Sequence, residues 1–209
     1  MKPPFNLDVY LVTDAPERCR YGLLETVRRA VEGGGVSMVQ YRSGHTNRAD
    51  LLAEAIPLHQ YLRGVGIPLI INNDILLALE LNAEGVHIGQ RDTPVADARR
   101  YLGPDKILGL TVANEAEMAA VDASLVDYVG CGPVFPTISK DDAPPALGIA
   151  RWNAMAASCP VPICAIGGLD AARAKELRAG GHCDGIAVVS AICAAENPAA
   201  AARELSARP

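Results

Sequence analysis

Eight times along the chain, a short run rich in Val, Ile and Tyr gives way to a longer amphipathic stretch of Ala, Leu, Glu and Arg. Runs of the first kind read as parallel strands buried on both faces, and stretches of the second kind as the helices that cover them. The predicted strands are 8–13, 36–42, 68–71, 85–88, 107–110, 127–130, 161–166 and 184–189. Predicted helices lie near 22–33, 48–64, 74–82, 94–101, 114–122, 149–157, 170–179 and 190–206, with Asn47, Asn114 and Asp170 at N-cap positions. Eight such units predict an α/β fold, a single-domain (β/α)8 TIM barrel over residues 1–209. An open doubly wound sheet would carry a Gly-rich phosphate turn after its first strand. Here that turn reads Thr13-Asp14-Ala15-Pro16. The glycines sit elsewhere: Gly33-Gly34-Gly35 and Gly180-Gly181 lead into strands, as helix C-caps do, and Gly167-Gly168 follow the seventh strand.

Composition narrows the function classes. Half of the residues are apolar, which excludes a disordered chain, and no apolar stretch approaches the roughly 18 residues of a membrane span. Asp8 and Asp14 flank the first apolar run with no basic lead-in, so no secretory signal is expected and a cytoplasmic location is. The net charge of −5, with no Lys/Arg run, argues against a nucleic-acid partner. Cysteines at 19, 131, 159, 164, 183 and 193 show no metal-binding spacing and read as reduced core residues. With two Phe and one Trp, Val, Ile, Leu and Ala must fill the core. Eight outward helices are compatible with a homo-oligomer.

In such barrels chemistry gathers at the C-terminal ends of the strands. Strand two ends there in Gln40, Tyr41 and Arg42; strand three in Asn72, Asn73 and Asp74; strand four in His87, Gln90 and Asp92; strand five in Thr111. The longest loop, 131–148, brings Thr137, Ser139, Lys140, Asp141 and Asp142, and strands seven and eight bring Gly167-Gly168 and Ser190. Of four lysines only Lys140 falls on this rim, and nearly every glutamate lies in a helix or just ahead of a strand. A rim without a Glu base but with paired glycines and a helix start suits anions better than proton abstraction. Arg42 and Lys140 beside Asn72 suggest a second anion site, with Asp92 available to a hard divalent cation. Two anion sites in one mouth fit a reaction that joins two phosphorylated molecules. His87, between Val86 and Ile88, reads as a hydrogen-bonded barrel residue and not a catalyst.

These residues resemble the thiamine-phosphate synthase family. The likeness rests on Tyr-Leu-Val-Thr-Asp at 10–14, Val-Gln-Tyr-Arg at 39–42, Ile-Asn-Asn-Asp at 71–74 and Gly-Val-His-Ile-Gly-Gln-Arg-Asp at 85–92. It continues in Gly-Cys-Gly-Pro-Val-Phe-Pro-Thr-Ile-Ser-Lys at 130–140, Ile-Gly-Gly at 166–168 and Val-Val-Ser-Ala-Ile at 188–192. The resemblance implies a (β/α)8 transferase that joins a hydroxymethylpyrimidine diphosphate to a thiazole phosphate and releases pyrophosphate with Mg²⁺. With Tyr41 a further substrate-binding candidate, it implies Gln40, Arg42, Asn72, Thr111 and Lys140 for the pyrimidine diphosphate, with Arg42, Thr111 and Lys140 catalytic. It implies Thr137, Ser139, Gly168, Val189 and Ser190 for the thiazole phosphate, and Asp92 with Asn73 for the metal. The implied mechanism is dissociative: pyrophosphate leaves, the pyrimidine stabilises a carbocation, and the thiazole nitrogen captures it.

Two departures bear on the diphosphate half. The family's usual Arg-x-Lys after strand two is Arg42-Ser43-Gly44 here, one cation fewer, with His45 or Arg48 as nearby substitutes. Its usual Asn-Asp after strand three is Asn72-Asn73, an amide for a carboxylate, with Asp74 one position later. A thiazole tautomerase-like protein is a second reading, but its histidine after strand five is absent from Thr111-Val112-Ala113-Asn114. A third is a paralogue that binds thiazole phosphate without synthase activity.

Overall fold

The computed structural model describes residues 2–139 and 143–207. Eight parallel strands follow one another around a closed barrel, with the last paired to the first. They are β1 (Val9–Val12), β2 (Met38–Tyr41), β3 (Leu69–Asn72), β4 (Gly85–Ile88), β5 (Ile107–Val112), β6 (Tyr128–Cys131), β7 (Ile163–Ile166) and β8 (Gly185–Val188). The helices are α1 (Leu23–Glu32), α2 (Arg48–Val65), α3 (Ile75–Leu81), α4 (Val95–Leu102), α5 (Glu115–Ala119), α6 (Ile149–Ala156), α7 (Ala171–Ala179), α8 (Ser190–Cys193) and α9 (Pro198–Ser206). The (β/α)8 expectation therefore holds. Among the described residues no helix is long and apolar enough to cross a membrane.

The expected caps form. The side chains of Asn47, Asn114 and Asp170 accept the backbone N–H groups of Ala49, Glu117 and Arg173, each bond satisfying a donor that the helix start leaves open. The eighth helical segment departs from expectation, because 190–206 is two helices. Asn197 accepts the N–H of Ala200, and Pro198 occupies the first helical turn. An N-cap followed by proline starts a new helix, so α8 is a single turn.

Two cores result. Between strands and helices, Val, Ile, Leu and Ala form one continuous cluster that includes the fully buried Trp152. Inside the barrel lies a smaller cluster of Leu7, Tyr10, Val12, Met38, Ile70, Ile107, Tyr128, Cys164 and Ala187. Tyrosines supply much of the interior bulk that aliphatic residues were expected to supply. All six cysteines are free thiols, four of them buried, as expected.

The N-terminal ends of the strands are stapled by a repeated device. The residue just before each even-numbered strand accepts the N–H of a residue opening its odd-numbered neighbour. Ser37 takes Val9, Glu84 takes Leu69, Asp127 takes Leu108 and Asp184 takes Ile163, at 2.8–3.0 Å. Cations lock the same rim, with Arg99 2.7 Å from Asp127 and Arg178 3.0 Å from Asp8.

Candidate active site

In three of the strands the inward side chains become more polar towards the C-terminal end. In β2 and just beyond it Met38 gives way to Gln40 and Arg42; in β3 Ile70 gives way to Asn72; in β5 Ile107 gives way to Gly109 and Thr111. These ends open into a cavity of 820 Å³. The ends of β2 to β5 and the loops beyond them supply Gln40, Arg42, Asn72, Asn73, Asp92 and Thr111 to its lining, and the loop after β6 with the ends of β7 and β8 supplies Thr137, Ser139, Gly168, Val189 and Ser190. Counting strand ends places ten of these eleven at the rim, and the family resemblance supplies Val189. Lys140 lies outside the described residues, as do Asp141 and Asp142.

Tyr41 does not join them, which corrects its assignment to substrate. Side chains alternate across a strand, so when Gln40 and Arg42 turn inward Tyr41 turns outward. It is buried in the outer core with its hydroxyl 2.8 Å from Glu54. Burial pushes that hydroxyl's pKa up.

Arg42 is held from three directions. Thr13 clamps its backbone, accepting the Arg42 N–H at 2.9 Å and donating to the Arg42 carbonyl at 2.8 Å. The Asp14 carboxylate stands 3.8 Å from the guanidinium, and Nη2 donates to the Ser139 carbonyl at 2.9 Å. The guanidinium thus ties β2 to the long loop after β6. Thr13 and Asp14 were not singled out as site residues from sequence, although the motif at 10–14 contains them.

Neither substitute for the missing cation faces the cavity. Arg48 pairs with Asp74 and Glu80 on the outside, and His45 stands 3.5 Å from Glu54. Arg91 and Arg151 do line the cavity, and Arg151 makes paired contacts with Glu115, lowering that carboxyl to about 2. Asp74 is also turned away: it caps α3 through the Leu77 N–H, holds Arg48 with its other oxygen and does not line the cavity.

Asn73 has φ of 63°, a left-handed conformation that Asn and Asp tolerate better than other side chains. Its N–H donates to the His87 carbonyl at 2.9 Å. Asp92 folds back, one oxygen accepting the Gly89 N–H at 2.7 Å. Among the described residues no group of three or more His, Cys, Asp or Glu side chains gathers as a metal cage. One carboxylate and one amide oxygen on a shared wall nevertheless fit Mg²⁺, which draws most of its shell from phosphate and water.

The opposite wall is made mainly of backbone. A Cβ at Gly167 would lie 2.5 Å from Pro133, and one at Gly168 would lie 2.5 Å from the Pro136 carbonyl. The Val134 and Phe135 N–H groups donate to the Ile166 and Gly167 carbonyls at 2.9 and 3.1 Å. The close approach these glycines permit is therefore to the chain's own 133–136 segment, which carries Thr137 and Ser139 to the rim. At α8 the turn's own bonds begin with Ile192 N–H to Val189 at 3.2 Å. The two N–H groups ahead of it lie at an open helix start. Since α8 has four residues, local N–H groups matter there more than a helix dipole.

Beneath the mouth, a chain of hydrogen bonds crosses the barrel interior. Gln40 Nε2 donates to the Tyr10 hydroxyl at 2.6 Å, and Tyr10 and Tyr128 share a bond of 2.7 Å. His87 Nδ1 is 3.0 Å from the Tyr128 hydroxyl and His87 Nε2 is 2.9 Å from Thr111 Oγ1. Burial raises both tyrosine pKa values, so both hydroxyls keep their protons at ordinary pH. His87 is a hydrogen-bonded barrel residue, as read from sequence.

Comparison with known proteins identifies the family. The model of the family described as thiamine monophosphate synthase matches residues 9–192. A thiamine-phosphate synthase of Azorhizobium caulinodans is 46% identical over 98% of this chain and 96% of its own. One of Xanthobacter autotrophicus is 48% identical over 99% and 97%. A solved thiamine phosphate pyrophosphorylase from Pyrococcus furiosus superposes with a TM-score of 0.84 at 31% identity, covering 95% of this chain and 93% of that one. On the shared fold, the matched motifs and these near full-length relatives, the chain belongs to the thiamine-phosphate synthase family of transferases.

Proposed function

We propose that this barrel joins a pyrimidine carrying a methylene diphosphate to a thiazole phosphate, each anion held on its own wall of the cavity. The observation that carries the reading is the contrast between the walls, charged and amide side chains on one and glycine-lined backbone with a helix start on the other. Gln40, Asn72, Thr111, Arg42 and Lys140 bind the pyrimidine diphosphate. Thr137, Ser139, Gly168, Val189 and Ser190 hold the thiazole phosphate.

The carbon–oxygen bond to the diphosphate breaks with its electron pair on the leaving group, and the thiazole nitrogen forms the new carbon–nitrogen bond. Such a step needs charge neutralised on the departing oxygens more than it needs a base. Arg42, fixed by Thr13, Asp14 and Ser139, supplies a preorganised cation, and Lys140 a second. Mg²⁺, bound through Asp92 and Asn73, would add Lewis-acid neutralisation of the diphosphate when present. Residence in the cytoplasm belongs to the same reading and accords with six free thiols.

Calorimetry with each ligand separately tests the division of the cavity. Ser190 is exposed, so Ser190→Asp places a carboxylate at the helix start without disturbing the core. Thiazole phosphate should bind at least about 10-fold more weakly and pyrimidine diphosphate within about threefold of wild type. Equal losses for both ligands would contradict the assignment of one anion per wall.

A further inference from the structure

The hydrogen-bonded chain across the barrel has a direction, and that direction decides what Thr111 presents to the cavity. A tyrosine hydroxyl has one proton to give. Gln40 donates an amide N–H to the Tyr10 oxygen, and the Tyr10 proton has the Tyr128 oxygen 2.7 Å away as its acceptor. The Tyr128 proton then goes to His87 Nδ1. A neutral imidazole that accepts at Nδ1 carries its hydrogen on Nε2, and this hydrogen meets Thr111 Oγ1 at 2.9 Å. The hydroxyl hydrogen of Thr111 is then directed away from the ring. With the Gln40 amide turned over, every bond reverses and Thr111 spends its hydrogen on His87.

The surrounding strands are shaped for this chain. Register places Gly109 opposite both His87 and Tyr128. A Cβ at 109 would fall 2.4 Å from the Tyr128 hydroxyl and 2.5 Å from His87 Nδ1, and one at Gly130 would fall 3.1 Å from His87 Cε1. The glycines of β5 and β6 therefore clear the space in which the ring and the phenol meet.

We propose that His87 is a positioning residue: its Nε2–H holds Thr111 so that the threonine hydroxyl is a committed donor to the leaving diphosphate. The inference rests on the synthase reading above for the identity of the anion. The two ring nitrogens of His87 are engaged by Tyr128 and Thr111. Gln40, Tyr10 and Tyr128 set the polarity, so the wall that meets the pyrimidine also governs the donor that meets the diphosphate.

Nitrogen NMR of the full chain labelled in histidine reads the tautomer directly, with His87→Gln identifying the resonance. The Nε2–H form is expected, and the Nδ1–H form overturns the proposal. Turnover supplies the second readout. Asn at 87 is too short to reach Thr111, so His87→Asn should lower kcat about 10-fold with KM within about twofold. His87→Gln extends an amide N–H to the Nε2 position and should stay within about threefold of wild type. In a Thr111→Val background, His87→Asn should cause no further loss, because the group it positions is gone. Full additivity of the two losses overturns the proposal, since a merely structural histidine behaves that way. Wild type that makes no product sinks the synthase reading, and the tautomer still decides this one.

Discussion

The two rims of the barrel are built from different chemistry although the same eight strands end in both. At the N-terminal rim Glu84, Asp127 and Asp184 spend carboxylate oxygens on strand N–H groups, and Asp8, Glu84 and Asp127 also face His59, Arg99 or Arg178. At the C-terminal rim amides, hydroxyls, glycines and arginines predominate. Four carboxylates, Asp8, Glu84, Asp127 and Asp184, are thus committed to holding the fold at the N-terminal rim, while the mouth carries Arg42, Arg91 and Arg151. Conserving charge overall says little about where it acts; its distribution along the strand axis says a great deal.

Changes at the C-terminal rim should reduce rate without melting the protein. The largest effects are expected for Lys140→Ala, which should lower kcat by ~10²-fold or more as a lost stabiliser of the leaving group. Asp92→Asn should lose nearly all metal-dependent turnover. A near-wild-type rate for Lys140→Ala would remove that side chain from the chemistry. At the opposite rim the expectation reverses. Asp127→Ala leaves the Leu108 N–H without its acceptor and removes the carboxylate facing Arg99, which keeps its bonds to the Leu125, Gly103 and Lys106 carbonyls; the change should cost about 1–3 kcal/mol in denaturant unfolding while leaving kcat within about twofold. A rate loss without destabilisation there would break the division between rims.

The smallest effect concerns the metal. Asn73 already adopts a left-handed backbone that aspartate shares, so Asn73→Asp changes charge with little strain. Half-maximal rate should then require a few-fold less Mg²⁺ than in wild type. Superimposable titrations would show that the amide costs nothing.

The barrel was legible because its signal is local and repeated: eight apolar runs, eight amphipathic stretches and side-chain caps at Asn47, Asn114 and Asp170. The rim was legible because strand ends are countable. What escaped depended on direction or distance. Tyr41 was misplaced because both faces of a parallel strand are apolar, so composition hides the alternation that sends Gln40 inward and Tyr41 outward. Arg48 and Asp74 looked available until each proved to be the other's partner. The Asn197-Pro198 helix start was present in the sequence and was read through. The Tyr10–Tyr128 bond joins residues 118 positions apart, which no local pattern announces. Gly167 and Gly168 were read as room for a ligand, and the structure uses them first as room for the chain itself.

Pyrophosphate release, followed with both phosphorylated substrates and Mg²⁺ and with each substrate alone, tests most directly whether the C-terminal rim joins two anionic molecules. The expected result is release only when both are present, with one thiamine phosphate formed for each pyrophosphate. Tight binding of thiazole phosphate with no pyrophosphate released under any of these conditions would contradict it.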